Sequence, residues 1–163
     1  MSARAAPLSS IRIAPETSAE AAEAEALVLD AFGPGRFAKT AERLREAARR
    51  VAGFTARQDG RMVGSVRLWA ITVGGADALF LGPIAVASQA RREGLGANLV
   101  AACVEDARCR GVAGVLLVGD ASYFSRFGFV VAPGAVLPGP ADPQRVLWLG
   151  IGNDLAEGLV LPA

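Results

Sequence analysis

Between Val86 and Leu99 the chain reads VASQARREGLGANL: an apolar run ends, two arginines and a glutamate follow, then Gly94-Leu95-Gly96, then helical spacing. Such a backbone can hold an anion. The amides at a helix N-terminus have no intrahelical partner, and the helix dipole adds partial positive charge there. Glycine permits φ > 0 and lets an oxyanion come close to those amides. Arg91 and Arg92 add charge for a pyrophosphate or sugar phosphate, and Glu93 is expected to face solvent. The same letters also fit a tight turn before a helix with surface arginines, because short motifs recur by chance.

Two specific anion loops are excluded. A P-loop requires Gly-Lys-Ser/Thr, which is absent. A dinucleotide fingerprint would place a third small residue at position 99, where Leu99 stands, and would turn directly off its strand, whereas seven residues separate Val86 from Gly94. The chain beyond Asp120 is also too short for the rest of a doubly wound domain. With no histidine, His-dependent triads and His-ligated zinc are excluded, and two cysteines make a poor metal site, so no metal is expected. Tyr123 is the single tyrosine. Asp77 and Asp120, near strand ends, are the carboxylates that could serve as a base; both also fit turn or cap positions.

The elements that must carry these residues follow from periodicity and turn chemistry. Ser9–Pro15 alternates as a first strand, and residues 16–32 form a helix with Thr17 or Ser18 as N-cap. Gly33-Pro34-Gly35 breaks it. A second helix is expected over 36–51, with Phe37, Ala41, Leu44, Ala48 and Val51 on one face. Asp59-Gly60 between two alternating apolar runs predicts a β-hairpin, and Gly74-Gly75 predicts the next turn. DALFLGPIAV (77–86) is the following strand. From Leu95 the apolar residues fall at 95, 99, 100, 103, 104 and 107, an amphipathic helix ending near Gly111. VAGVLLVGD is a strand apolar on both faces, ASYFSRFGFVV a short helix turning into a strand, and QRVLWLGIG a last strand; PGAVLPGPADP is a loop and the tail is irregular. Trp69 and Trp148 lie in apolar strands as core or pocket wall. The order β, α, α, three-stranded meander, α, β, short α, β, β describes a mixed α/β fold around a mostly antiparallel sheet.

The 163 residues suit one domain, 1–163, with a sizeable core, and 52% hydrophobic against 20% charged residues is the balance of a globular chain. A net charge of +1 without runs of like charge gives no reason to expect nucleic acid or membrane as partner. Cys103 and Cys109 lie six apart on one helix and point different ways, so no disulfide is expected between them. That usage suits a reducing compartment, and with no signal-like segment in Met1–Ser10 and no long apolar span the expected location is cytoplasmic.

Arg91-x-x-Gly94-x-Gly96 resembles the acyl-CoA signature of the GCN5-related N-acetyltransferase (GNAT) superfamily. LGPIAV resembles the fourth strand of that fold, GVLLVGD the fifth, and YFSRFGF the short helix leading to the sixth. Within the superfamily the three blocks most resemble the small YhbS-type acetyltransferases. The similarity is strong over 79–131 and extends by element order from Ile11. It implies a GNAT fold whose fourth and fifth strands splay apart, with acetyl-CoA as acyl donor and an amine, of a small molecule or a protein, as acceptor. It implies that the backbone of Ile84, Ala85 and Val86 meets the pantetheine and the acetyl carbonyl. The stretch Arg91, Arg92, Glu93, Gly94, Leu95, Gly96 and Ala97 would hold the pyrophosphate. Pro83, lacking an N–H, fits an edge or bulge. Many members carry a catalytic tyrosine where this chain has Phe124; Tyr123, one residue earlier, is the candidate acid, and Arg126 and Phe127 would support its helix. The resemblance also admits a homodimer, and a CoA-binding module without turnover as the alternative to an enzyme. A structural α/β domain with a chance glycine loop is the third reading.

Overall fold

The computed structural model describes residues 10–33 and 39–163, for Arg92 and Glu93 the backbone only. Two tight hairpins build its centre. Asp59 and Gly60 both take left-handed φ (52° and 76°), as do Gly74 and Gly75 (56° and 87°). Positive φ at both central residues is the requirement of the two-residue hairpin turn whose twist matches the strands. Strands β2 (Arg50–Gln58), β3 (Arg61–Val73) and β4 (Ala76–Val86) follow as an antiparallel meander. β1 (Arg12–Pro15) adds to the outer edge of β2.

On the other side β4 pairs in parallel with β5 (Gly114–Val118), which pairs with β8 (Val146–Gly150), and β8 with β6 (Val130–Val131). The sheet is therefore mixed but mostly antiparallel, in the order β1-β2-β3-β4-β5-β8-β6.

Helices cover both faces. α3 (Leu95–Arg110) buries Leu95, Leu99, Val100, Cys103 and Ala107 against Val66, Leu68, Leu79 and Val115. This is the face expected from its spacing, and the helix stops at Gly111 with φ 67°. On the opposite face lie α1 (Ala21–Phe32) and α2 (Thr40–Ala47), where Leu44 joins Phe80, Leu116 and Trp148. Thr17 starts the first of these through a short 3-10 turn, its amide donating to Glu20 Oε1 at 3.0 Å. Arg67, buried in β3, meets Glu16 and Glu25 beneath α1.

Three expectations change. The second helix ends at Ala47, and Arg50–Ala52 belong to β2, because Arg50 pairs with Trp69 and the sheet overrides helical propensity there. Phe37, expected on that helix, lies outside the described residues. The tail is not irregular. Gly158–Pro162 forms β9, which takes the edge of β3 beyond the end of β2 (Val73↔Val160, Ile71↔Pro162) and fully buries Val160. The Pro/Gly loop holds a short strand too, β7 (Ala135–Val136), parallel to β9.

Candidate active site

Among the described residues β4 and β5 are paired only at Leu79↔Val115 and Phe80↔Leu116. Beyond these pairs the strands part, and Leu81–Ile84 of β4 and Leu117–Asp120 at the end of β5 and just past it become the walls of a cleft of about 550 Å³. The cause is visible in β4. Val66 pairs with Ile84 and Leu68 with Leu81, so two steps of β3 face three of β4. The extra residue is a bulge at Gly82-Pro83, with Gly82 at φ 140° and Pro83 unable to donate to a ladder. Trp69 holds the bulge by donating its indole N–H to the Gly82 carbonyl at 2.6 Å. On the β5 side the edge of β4 past Phe80 has no strand partner among the described residues. Ile84 and Val86 are half-buried along this stretch; Ala85 turns its side chain into the core.

β4 leads through a 3-10 turn (Ser88–Glu93) to Gly94 and then α3. The two glycines do different things. Gly94 has φ 69° with open space around it, so what it supplies is the left-handed hinge. Gly96 is helical, and a Cβ there would lie 2.9 Å from Tyr123 Oη. Asn98 N–H is the first to bond back, to the Gly94 carbonyl at 3.2 Å, leaving the amides of Leu95, Gly96 and Ala97 ahead of the helical ladder. The exposed Arg91 donates Nε–H to the Val86 carbonyl at 3.3 Å, which ties the turn to the end of β4. The side chains of Arg92 and Glu93 lie outside the described residues.

α4 (Ala121–Phe124) closes the third side. Tyr123 and Phe124 both line the cleft, about 100° apart in direction as neighbours on a helix. Phe124 is a wall: its ring fills the space beside Gly119 and packs on Phe129. Tyr123 reaches across to the first turn of α3. Arg126 stacks on its ring, Cζ 4.5 Å from the centroid, and donates Nε–H to its carbonyl at 2.9 Å, while Phe127 packs against its edge. Of the two candidate carboxylates, Asp120 is at the mouth of the cleft in an ion pair with Arg145. Asp77 is exposed near the opposite end of β4 and takes no part.

The fourth side comes from the second helix and the Pro/Gly loop. It is made by Lys39, Thr40 and Arg45 at α2, with Pro140, Ala141 and Arg145 from the loop before β8. Thr40 Oγ1 donates to the Pro140 carbonyl at 2.5 Å and joins the two. No spacing or motif marks these residues, since they meet across a hundred positions of sequence.

A splayed strand pair that opens onto the glycine-led start of a helix is the arrangement expected from the three sequence blocks. The family model for the acetyltransferase (GNAT) family matches residues 20–129. The chain belongs to the GNAT family. The uncharacterised N-acetyltransferase YhbS of Escherichia coli K12 is 33% identical over 111 residues, 66% of this chain and 66% of the relative, a little under two thirds of its length. In three dimensions this GNAT chain is similar to the crystal structure of E. coli YhbS in complex with CoA (TM-score 0.83, 26% identity, 99% of this chain and 94% of that one). It is similar also to a GNAT acetyltransferase of Brucella melitensis in complex with acetyl-CoA (TM-score 0.72, 27% identity, 94% and 96%). Among the described residues of this GNAT protein no helix is long and apolar enough to cross a membrane.

Proposed function

We propose that this single domain is an acetyl-CoA-dependent N-acetyltransferase that transfers the acetyl group to a primary amine by direct attack on the thioester. The observation that carries the reading is the parting of β4 and β5 at the Gly82-Pro83 bulge, directly before the Gly94 hinge and α3. The unpaired β4 edge can take the amides of a pantetheine arm as it would another strand. The Leu95, Gly96 and Ala97 amides, at the positive end of the α3 dipole, suit a pyrophosphate, with Arg91 in the turn just before them.

In this reading the thioester lies at the bulge. The amine lone pair attacks the carbonyl carbon, and the developing oxyanion is held by a β4 backbone amide, that of Ile84 being the first after Pro83. The C–N bond forms, the C–S bond breaks, and the electron pair leaves with the CoA thiolate. The amine proton passes through water to Asp120, the carboxylate facing the cleft, and Tyr123 supplies a proton to the thiolate.

Phe124 at the position of the family tyrosine favours a second reading, a CoA-binding module without turnover. Release of free CoA in the presence of amines separates the two. Acetyl-CoA should raise the melting temperature through binding to the folded state, and Tyr123→Phe should keep that shift while lowering turnover by roughly 10²- to 10⁴-fold. Absence of any acetyl-CoA shift in the unaltered protein would end both readings.

A further inference from the structure

We infer that the acceptor is a small primary monoamine with an apolar body, an alkylamine or arylalkylamine, lying against the wall made by the end of α1, α2 and the Pro/Gly loop. This names the substrate class of the cleft and rests on the acetyl-transfer reading above.

The charges of the cleft are met within the protein or by water. Among the described residues its charged lining side chains are Lys39, Arg45, Arg145 and Asp120. Arg145 pairs with Asp120. Arg45 pairs with the buried Glu42 at 3.0 Å and lies over the Phe80 ring, 5.8 Å from Cζ to the centroid. Lys39 is exposed at the rim. A further charge on the acceptor, of either sign, has to displace one of these partners or go unpaired, and both are costly away from water. The single carboxylate, Asp120, is the group that takes the proton of the attacking amine, so a second ammonium finds none.

The neutral polar side chains are engaged as well. Thr40 is buried, and its hydroxyl proton is on the Pro140 carbonyl at 2.5 Å. Tyr123 is the proton donor of the reaction. An acceptor rich in hydroxyls would lose its water here without gaining partners.

What the wall does offer is apolar surface, from Phe32, Ala41, Pro140 and Ala141. Phe32 is the largest apolar side chain of α1, yet it is 50% exposed. A ring left half open on the wall of a cleft gains by being covered with an apolar group. The cleft of about 550 Å³ also has to take the thioester end, so the body of the acceptor is small.

The test is CoA release with acetyl-CoA and a panel of amines: the n-alkylamines from ethylamine to hexylamine, phenethylamine, glucosamine, spermidine and Nα-acetyl-lysine amide. The alkylamines share one basicity, so differences among them report contact with the wall. Their kcat/KM should rise roughly 2- to 4-fold per methylene, the upper figure being that of full burial. Phenethylamine should stand with the longer members. Glucosamine, spermidine and the lysine amide should fall roughly 10-fold or more below hexylamine. Phe32→Ser removes the half-open ring, and Ala141→Asp sets a charge on the half-buried opposite part of the same wall. Each should flatten the rise by lowering hexylamine more than ethylamine, mainly through KM, with the acetyl-CoA thermal shift retained. A flat or falling series overturns the inference, as does turnover of glucosamine, spermidine or the lysine amide equal to that of hexylamine, or a rise that survives both variants. In these cases acetyl transfer itself stands. If no amine releases CoA while acetyl-CoA still raises the melting temperature, the inference falls together with acetyl transfer and the module without turnover remains.

Discussion

Gly96 and Tyr123 form a contact whose consequences can be worked out before any measurement. Gly96→Ala adds a Cβ 2.9 Å from Tyr123 Oη and 4.0 Å from Val86 Cγ2. Ordinary contact begins at 3.4 Å, so the phenol tip must withdraw by about 0.5 Å (3.4 less 2.9). Arg126 on the ring face and Phe124 and Phe127 at its edges hold the ring, so the shift is taken up by small torsions. Stability should barely suffer. Alanine gains up to about 1 kcal/mol over glycine inside a helix, less in the first turn, and the strain of the displaced ring is of similar size. The melting temperature should stay within about 3 °C of the parent, since 1 kcal/mol is worth roughly 2–4 °C in a chain of this length.

Turnover should not be spared. A 1 Å misplacement of a catalytic group costs about 10²-fold, so half of that costs roughly 10-fold. CoA-release kinetics and thermal shifts with acetyl-CoA measure the two effects separately. The decisive step is the cycle with Tyr123→Phe. Once the hydroxyl is gone, the alanine meets nothing polar, and adding Gly96→Ala should not lower kcat further. Full kcat in Gly96→Ala, or fully additive losses in the double variant, would refute the proposal that Gly96 acts by giving the Tyr123 hydroxyl its place. An equal loss of acetyl-CoA affinity with and without the hydroxyl would assign Gly96 to the close approach of the pyrophosphate instead.

Three further outcomes follow from named contacts. Gly94→Ala has room for its methyl group but not the backbone for it, because φ is 69°; it should cost about 1–2 kcal/mol in denaturant unfolding and weaken acetyl-CoA binding, with Gly94→Asn milder on both counts. Glu20 is held below the usual carboxylate value by the Thr17 amide and then by Arg57, and Glu23 by Arg57; both contribute stability that is present above about pH 4.5 and lost as pH falls through their lowered values, so Arg57→Met should move the onset of acid unfolding, followed by circular dichroism, to higher pH. Cys109 is exposed whereas Cys103 is buried, and burial pushes the Cys103 thiol up; a thiol reagent should modify Cys109 alone in the native protein and both cysteines in denaturant.

The two halves of the cleft differ in how far they can be read from the chain. The features at the β4 bulge and the start of α3 are made of backbone. A hinge at positive φ, amides left open at the start of a helix and a bulge that removes a ladder bond each need a particular residue at one place: Gly94, Gly96, Pro83. Such requirements are local, so they leave a spacing that survives in sequence, as do the hairpins at Asp59-Gly60 and Gly74-Gly75. The face of α3 is legible for the same reason, since Leu95, Leu99 and Cys103 recur within a few residues of one another. The α2 side is made of side chains brought together by tertiary pairing. Thr40 meets Pro140, and Asp120 meets Arg145, across 100 and 25 positions. Arg45 follows Leu44 on a short helix and looks like any solvated arginine until folding brings the β4 bulge up to its guanidinium. β9 escapes for the same cause: Gly158–Pro162 has little pattern of its own and becomes a strand because β2 leaves the edge of β3 open past Trp69. A hinge and a bulge demand a particular backbone, and glycine and proline record it. The wall built by Lys39, Arg45 and Arg145 is made of side chains on elements that meet only after folding, and so it leaves no motif.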